Sequence, residues 1–89
     1  MQVIKRNGSK VDFESTKIYS AITNAAKEVF VLDDDLKRQL ADLTTRIALD
    51  LTELDIDAVT ISMVQSQVEQ RLLAAGYIRI AERSRTLRI

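Results

Sequence analysis

The chain opens with two short runs in which β-branched and charged residues mix, Gln2-Val3-Ile4-Lys5-Arg6 and Ser9-Lys10-Val11-Asp12-Phe13, separated by Asn7-Gly8. Asn-Gly between such runs is the strongest local signal for a two-residue hairpin loop in a type I′ turn, because both central positions need a positive φ that these two residues tolerate. The pattern predicts strands at about 2–6 and 9–13. In that register Ile4 faces Val11 and Gln2 faces Phe13 on one side, while Lys5 sits directly opposite Lys10 on the other. Like charges opposed across a ladder are destabilising. Such a pair either splays into water or is relieved by an anion.

From Glu14 onward the period changes from 2 to 3.6. Ile18, Ile22, Ala25, Ala26 and Val29 fall on one face of a helix that starts at a Glu14 or Ser15 cap and runs to about Phe30. Asp33, Asp34 and Asp35 form the acidic first turn of a second helix, where they complement the positive end of its dipole. Its stripe is Leu36, Leu40, Leu43, Ile47 and Leu51, ending at about Leu54. Consecutive carboxylates at a helix start diverge, so the triple aspartate reads as a cap and not as a metal cluster. Residues 55–59 are too few for a helix and read as a brief third strand or a loop.

Thr60 is placed to cap a third helix with Ile61, Val64, Val68, Leu72 and Ala75 along one face and Gly76 just past its end. Tyr77, Ile80, Ala81, Ser84 and then Leu87 or Arg88 carry the helical period onward, predicting a fourth helix from about Tyr77. Four amphipathic helices that cannot each bury a face alone associate as a bundle. A two-stranded ribbon is marginal by itself, so it is expected across one end with Ile4, Val11 and Phe13 inward. The expected fold is α+β: a small hairpin or three-stranded sheet capping a four-helix bundle.

Composition narrows the function more than the fold. Eighty-nine residues make one domain, spanning 1–89, with a single core and little room for a deep cleft. Cysteine and histidine are both absent. That removes a zinc cluster, a thiolate nucleophile, an imidazole base and a disulfide framework, and the chain is expected to catalyse nothing by itself. No run approaches the ~20 apolar residues that span a bilayer, and residues 1–10 are polar and basic without the apolar stretch of a signal peptide. The chain therefore reads as cytoplasmic. Net charge is zero but unevenly spread: five basic residues stand against two acidic ones in 1–27, three against nine in 28–57, and five against two in 58–89. Two basic ends flanking an acidic middle make an anion site if the fold brings the ends together, and solvated faces if it does not.

A phosphate site needs positive charge and hydrogen-bond donors converging away from carboxylates. Lys5 and Arg6 on the first strand offer this, with Lys17 in the first turns of the following helix, whose N-terminal amides also favour an anion. Neither G-x-x-x-x-G-K-[ST] nor G-x-G-x-x-G occurs, so a site here rests on side chains and a strand end.

Those residues carry a family resemblance. Val3-Ile4-Lys5-Arg6-Asn7-Gly8, followed by Val11, Phe13, Lys17-Ile18 and Ala21-Ile22, resembles the opening of the ATP-cone domain, whose pattern is V-x-K-R-D-G, an apolar residue and then a K-I pair on a helix. Thr60, Met63-Val64, Val68-Glu69, Leu72, Gly76-Tyr77 and Ile80-Ala81 are similar to the family's closing block. The ordered set spans essentially the whole chain. It most resembles the N-terminal cone of the anaerobic, glycyl-radical ribonucleoside-triphosphate reductases, through K-R-x-G-x-K-V-x-F and the Lys17 helix. Nothing here resembles their large catalytic barrel, which implies a cut-out regulatory domain. The cone of a zinc-ribbon transcriptional regulator fits less well, since its metal-binding cysteines are missing.

The resemblance implies a four-helix bundle under a small sheet that binds ATP or dATP as an effector, with Mg²⁺ carried by the phosphates and not by a protein cage. It implies an activity switch acting on the catalytic domain of the same reductase, ATP supporting and dATP suppressing reduction, usually through quaternary packing, so a homo-oligomer is a further expected partner. Carried over by position, Lys5 and Arg6 hold phosphates, Lys17 and Thr60 lie near ribose or phosphate, Val3, Phe13, Ile18 and Met63 form the adenine slot, and Glu14 approaches the exocyclic amine. Each also has a plainer reading: core residues for Phe13, Ile18 and Met63, a helix cap for Thr60, a solvated acid for Glu14. The last helix departs from the pattern, with Ser84 and Leu87 where aromatics are frequent; Arg85 or Arg88 could close that wall of the pocket, and Arg88 is taken as the candidate. A nucleic-acid-binding module using the basic hairpin and the last arginines is the main rival; zero net charge and few aromatic stacking positions weaken it. No membrane partner is expected.

Overall fold

The computed structural model describes residues 1–84. Asn7 and Gly8 turn the chain, but through a loop of three residues instead of two. The Lys5 amide donates to the Ser9 carbonyl (2.8 Å), the Gly8 amide donates to the Lys5 carbonyl (2.9 Å), and Gly8 takes φ +85°. A tight turn followed by a left-handed glycine is the usual three-residue hairpin loop. Asn7 braces it, its Oδ1 accepting from the Ser9 amide (3.0 Å) and hydroxyl (2.7 Å).

The extra loop residue moves the register by one. Strand β1 (Gln2–Ile4) pairs antiparallel with β2 (Lys10–Asp12) as Gln2↔Asp12, Val3↔Val11 and Ile4↔Lys10. The predicted register, with Ile4 opposite Val11 and Lys5 opposite Lys10, is thus corrected. Both strands are also shorter than predicted. Lys5 faces Ser9, and the like-charge pair does not form. A one-residue slip exchanges the two faces of a strand, so Val3, Lys5, Val11 and Phe13 share one side and Ile4 joins Gln2, Lys10 and Asp12 on the other. Burial decides between the registers: Val3 is 8% exposed and Val59 1%, and these two lie side by side where β3 (Ala58–Thr60) runs parallel to β1 with Val3↔Val59. The segment that read as strand or loop is therefore a strand, and the sheet order is β2-β1-β3.

The helices follow the apolar stripes. Helix α1 (Ser15–Val29) has Glu14 at its N-cap position without a side-chain cap bond, and it buries Ile18, Ile22, Ala25 and Ala26. Helix α2 (Asp34–Thr52) is capped by Asp33, whose carboxylate accepts from the Leu36 amide at 2.8 Å. Asp35 pairs instead with Arg38 at 3.9 Å, so the three aspartates do diverge. Helix α3 (Ile61–Ala74) is capped by the Thr60 hydroxyl oxygen, which accepts from the Met63 amide at 3.2 Å. It closes in a Schellman motif, with Gly76 at φ +87°, its amide on the Leu73 carbonyl (3.0 Å) and the Tyr77 amide on Leu72 (2.8 Å). Helix α4 (Ile78–Ser84) follows at once. Its predicted extension through Leu87 or Arg88 lies outside the described residues.

Helix α1 packs against both α2 and α4, and α3 against α2 and α4, around a core that includes Ile22, Leu40, Ile47, Leu51, Val68, Leu72 and Ile80. Ion pairs clasp the outside: Arg71 Nε meets Asp50 Oδ2 at 2.8 Å between α3 and α2, and Arg83 Nε meets Glu28 Oε2 at 2.8 Å between α4 and α1. The hydrogen bond to Glu28, and then its charge, hold the Arg83 guanidinium above its ordinary range, so the arginine end of this clasp stays charged at any working pH. The Tyr77 hydroxyl donates to the Gln39 side-chain oxygen. Among the described residues no helix is long and apolar enough to cross a membrane.

The α2 cap gives a direct test. Asp33→Ala removes both the acceptor for the Leu36 amide and a charge suited to the helix dipole, so urea melts are expected to show a loss of about 1 kcal/mol. An unchanged midpoint would mean that the neighbouring aspartates take over the cap.

Candidate functional site

The inner face of the sheet does not close fully on the helices. Between it and the first turns of α1 and α3 lies a cavity of about 130 Å³, open at one side. Val3 comes from β1, Val11 and Phe13 from β2 and the residue just past it, Ile18 from α1, and Ile61 and Val64 from α3; together they make an apolar slot. Lys5, Asp12, Glu14 and Lys17 complete the lining. Asp12 lies on the strand whose Val11 faces inward, so by alternation its side chain belongs to the outer face and its backbone contributes here.

The register explains the slot. Because Val3, Lys5, Val11 and Phe13 share the inward side, the same alternation that supplies apolar residues to the bundle also delivers the Lys5 ammonium to the cavity. Lys17 arrives from the first turn of α1, paired with Glu14 across 3.6 Å with both side chains more than half exposed. An exposed i,i+3 pair contributes little and exchanges readily for a better anion. Among the described residues the Lys5 side chain has no ion-pair partner. Glu14 does not cap α1 with its side chain; its carbonyl accepts from the Lys17 amide at 3.2 Å, which leaves the Ser15 and Thr16 amides as donors for an anion or for water.

Of the residues singled out by sequence, Val3, Lys5, Phe13, Glu14, Lys17 and Ile18 meet in this one cavity. Of the other four, three do not line it. The Arg6 guanidinium reaches α3, where Nη2 donates to Gln65 Oε1 at 3.3 Å. Thr60 uses its hydroxyl oxygen as the α3 cap. Met63 is 41% exposed, and the wall expected of it is made by Ile61 and Val64, its neighbours on the inward stripe. Arg88 lies outside the described residues. Val11, Asp12, Ile61 and Val64 were missed as lining. Ile61 and Val64 stand in plain view at the start of the α3 stripe, but a stripe residue reads as core until a cavity is seen beneath it.

The arrangement has the chemistry to suit a flat apolar ring with an anionic tail: the slot is apolar, and Lys5 and Lys17 line it beside the start of α1. No three or more acidic side chains among the described residues gather as a metal cage. An α+β domain with a mixed three-stranded sheet, four helices and a ligand-sized cleft beneath the sheet is a small binding domain in its architecture. The chain belongs to the ATP-cone family: the model described as ATP cone domain matches residues 1–88. It is similar to the anaerobic ribonucleoside-triphosphate reductase of Haemophilus influenzae, 33% identical over 79 residues that cover 89% of this chain and 11% of that protein. It is equally similar to the enzyme of the same name from Salmonella typhimurium, 33% identical over 79 residues, covering 89% of this chain and 10% of that protein. The chain thus spans about a tenth of the length of these curated relatives.

Proposed function

We propose that this domain binds an adenine nucleotide, ATP or dATP, and that it serves as the regulatory module of a ribonucleoside-triphosphate reductase without performing catalysis itself. The observation that carries the reading is the convergence of Lys5 and Lys17 on the mouth of an apolar slot built from Val3, Val11, Phe13, Ile18 and Val64. Its volume of about 130 Å³ is close to the ~150 Å³ that suffices for a single benzene ring in a closed apolar cavity. With one side open, the slot takes the purine and lets the sugar and phosphates extend outward past the lysines.

In this reading Lys5 and Arg6 contact phosphates, the amides at the start of α1 support them, and Mg²⁺ rides on the phosphate oxygens. Glu14, at the rim, accepts from the exocyclic amine of adenine. Lys17 and Thr60 stand nearest the ribose, where ATP and dATP differ by one hydroxyl. A switch between the two requires that they bind two states of the parent protein with different affinity, because a ligand that binds both states equally shifts nothing. Quaternary packing of the parent reductase is the natural pair of states.

Calorimetric titration with ATP, dATP and GTP tests the binding step. ATP and dATP are expected to bind with one-to-one or higher stoichiometry. GTP is expected to bind at least about tenfold more weakly, since its reversed donor and acceptor edge leaves polar groups unpaired. Equal affinity for all three would remove the base-selective slot and leave only a general anion surface.

A further inference from the structure

Arg6 and Gln65 stand 59 residues apart and meet through one hydrogen bond, Nη2 to Oε1 at 3.3 Å. The same Gln65 amide donates through Nε2 to the Ser84 carbonyl at 3.4 Å, at the end of α4. Its two ends are chemically distinct. Only the oxygen can accept from a guanidinium and only the nitrogen can donate to a carbonyl, so the two partners together fix which way the amide points. Gln65 is half-buried on α3 and follows Val64, which lines the slot.

The other end of this link is also well held. Arg6 projects from a loop braced by the Lys5, Gly8 and Asn7 hydrogen bonds. Its long side chain would otherwise sample many rotamers in water, which counts against any contact that must first order it. A guanidinium offers five N–H groups in a rigid fork. The contact to Gln65 uses one nitrogen and holds the guanidinium against α3, beside the turn whose Val64 lines the slot, with further N–H donors to spare.

We infer that Gln65 is a positioning residue for Arg6, holding its guanidinium ready for the outer phosphates of the nucleotide and tying that readiness to the end of α4. This rests on the nucleotide-binding reading above and adds to it a residue that touches no part of the ligand. The link is geometric: loss of the Gln65 oxygen releases Arg6 to solvent, and loss of the nitrogen releases the Ser84 carbonyl.

The test is a double-mutant cycle read with ATP, ADP and AMP by calorimetry on the whole chain. Gln65→Met keeps the length of the side chain without its hydrogen bonds, and is expected to weaken ATP binding about three- to fivefold while leaving AMP unchanged. In an Arg6→Ala background the same substitution should have no further effect on ATP, because the group it positions is gone. A structural role alone would lower the affinity for AMP as much as for ATP, and would persist without Arg6; either result overturns the inference. Should Gln65→Met melt below the titration temperature, Gln65→Asn retains the amide one methylene too short to span both partners and is expected to give the same pattern. Wild-type affinity in the variant that folds would equally sink it. If the wild-type chain binds none of the three nucleotides, it is the underlying reading that has failed.

Discussion

Lys5→Ala is expected to weaken ATP binding by about 1.5–3 kcal/mol, the scale of a hydrogen bond to a charged group, which is roughly ten- to a hundredfold in affinity. The fold should not notice. The backbone of Lys5 closes the hairpin loop, through its amide to Ser9 and its carbonyl to Gly8, and alanine keeps both bonds. Its side chain is exposed, so the melting temperature without nucleotide should stay within the scatter of surface substitutions, about 0.5 kcal/mol. Lys10→Ala is the control. That residue carries the same charge on the same ribbon but occupies the opposite face, paired with Ile4. Lys10 does not line the cavity, and solvent and salt screen an exposed charge on the far face, so removing it should change ATP affinity only slightly. Equal losses for the two lysines would show that a diffuse positive field draws in the nucleotide, and the site as drawn would be wrong.

That contrast between Lys5 and Lys10 is where sequence reading fell short, and the reason is local. Asn7-Gly8 fits both a two-residue loop and a three-residue loop, because both require a glycine-tolerant φ at position 8. Turn chemistry therefore leaves the register undetermined by one residue, and one residue exchanges the faces. What settles it is distant in sequence: Val3 gains a buried place beside Val59, a contact that depends on β3 arriving in parallel after two helices. The helices depend on local information and were legible almost to the residue, through the stripes, the Asp33 and Thr60 caps and Gly76. Lys5, Glu14 and Lys17 of the cavity were legible through their order along the chain. The apolar walls were less so, because Val64 and Met63 are adjacent in sequence and about 100° apart around a helix, and only packing tells which one faces the slot. The reach of Arg6 to Gln65 carries no sequence signal at all.

The slot is only as rigid as the helices that hold it, and Ile22→Ala measures how much rigidity there is to spare. Ile22 is fully buried on α1, one turn beyond Ile18 of the slot floor, in the helix that packs against both α2 and α4. Truncation removes the transfer free energy of the lost carbons and leaves a cavity that the neighbouring helices fill only in part, together about 2–5 kcal/mol. A chain of this length has a total stability of only about 4–13 kcal/mol, at ~0.05–0.15 kcal/mol per residue. The melting temperature is therefore expected to fall by about 8–40 °C, from the 4–8 °C per kcal/mol typical of domains this small. ATP at a hundred times its dissociation constant adds about 2.7 kcal/mol to the folded state if only that state binds, and should recover a large part of the loss. A drop of only a few degrees would mean that the core around Ile22 collapses without a void. A full drop with no recovery on adding ATP would mean that the slot does not survive loosening of α1, and that nucleotide affinity and the packing of this helix are one property.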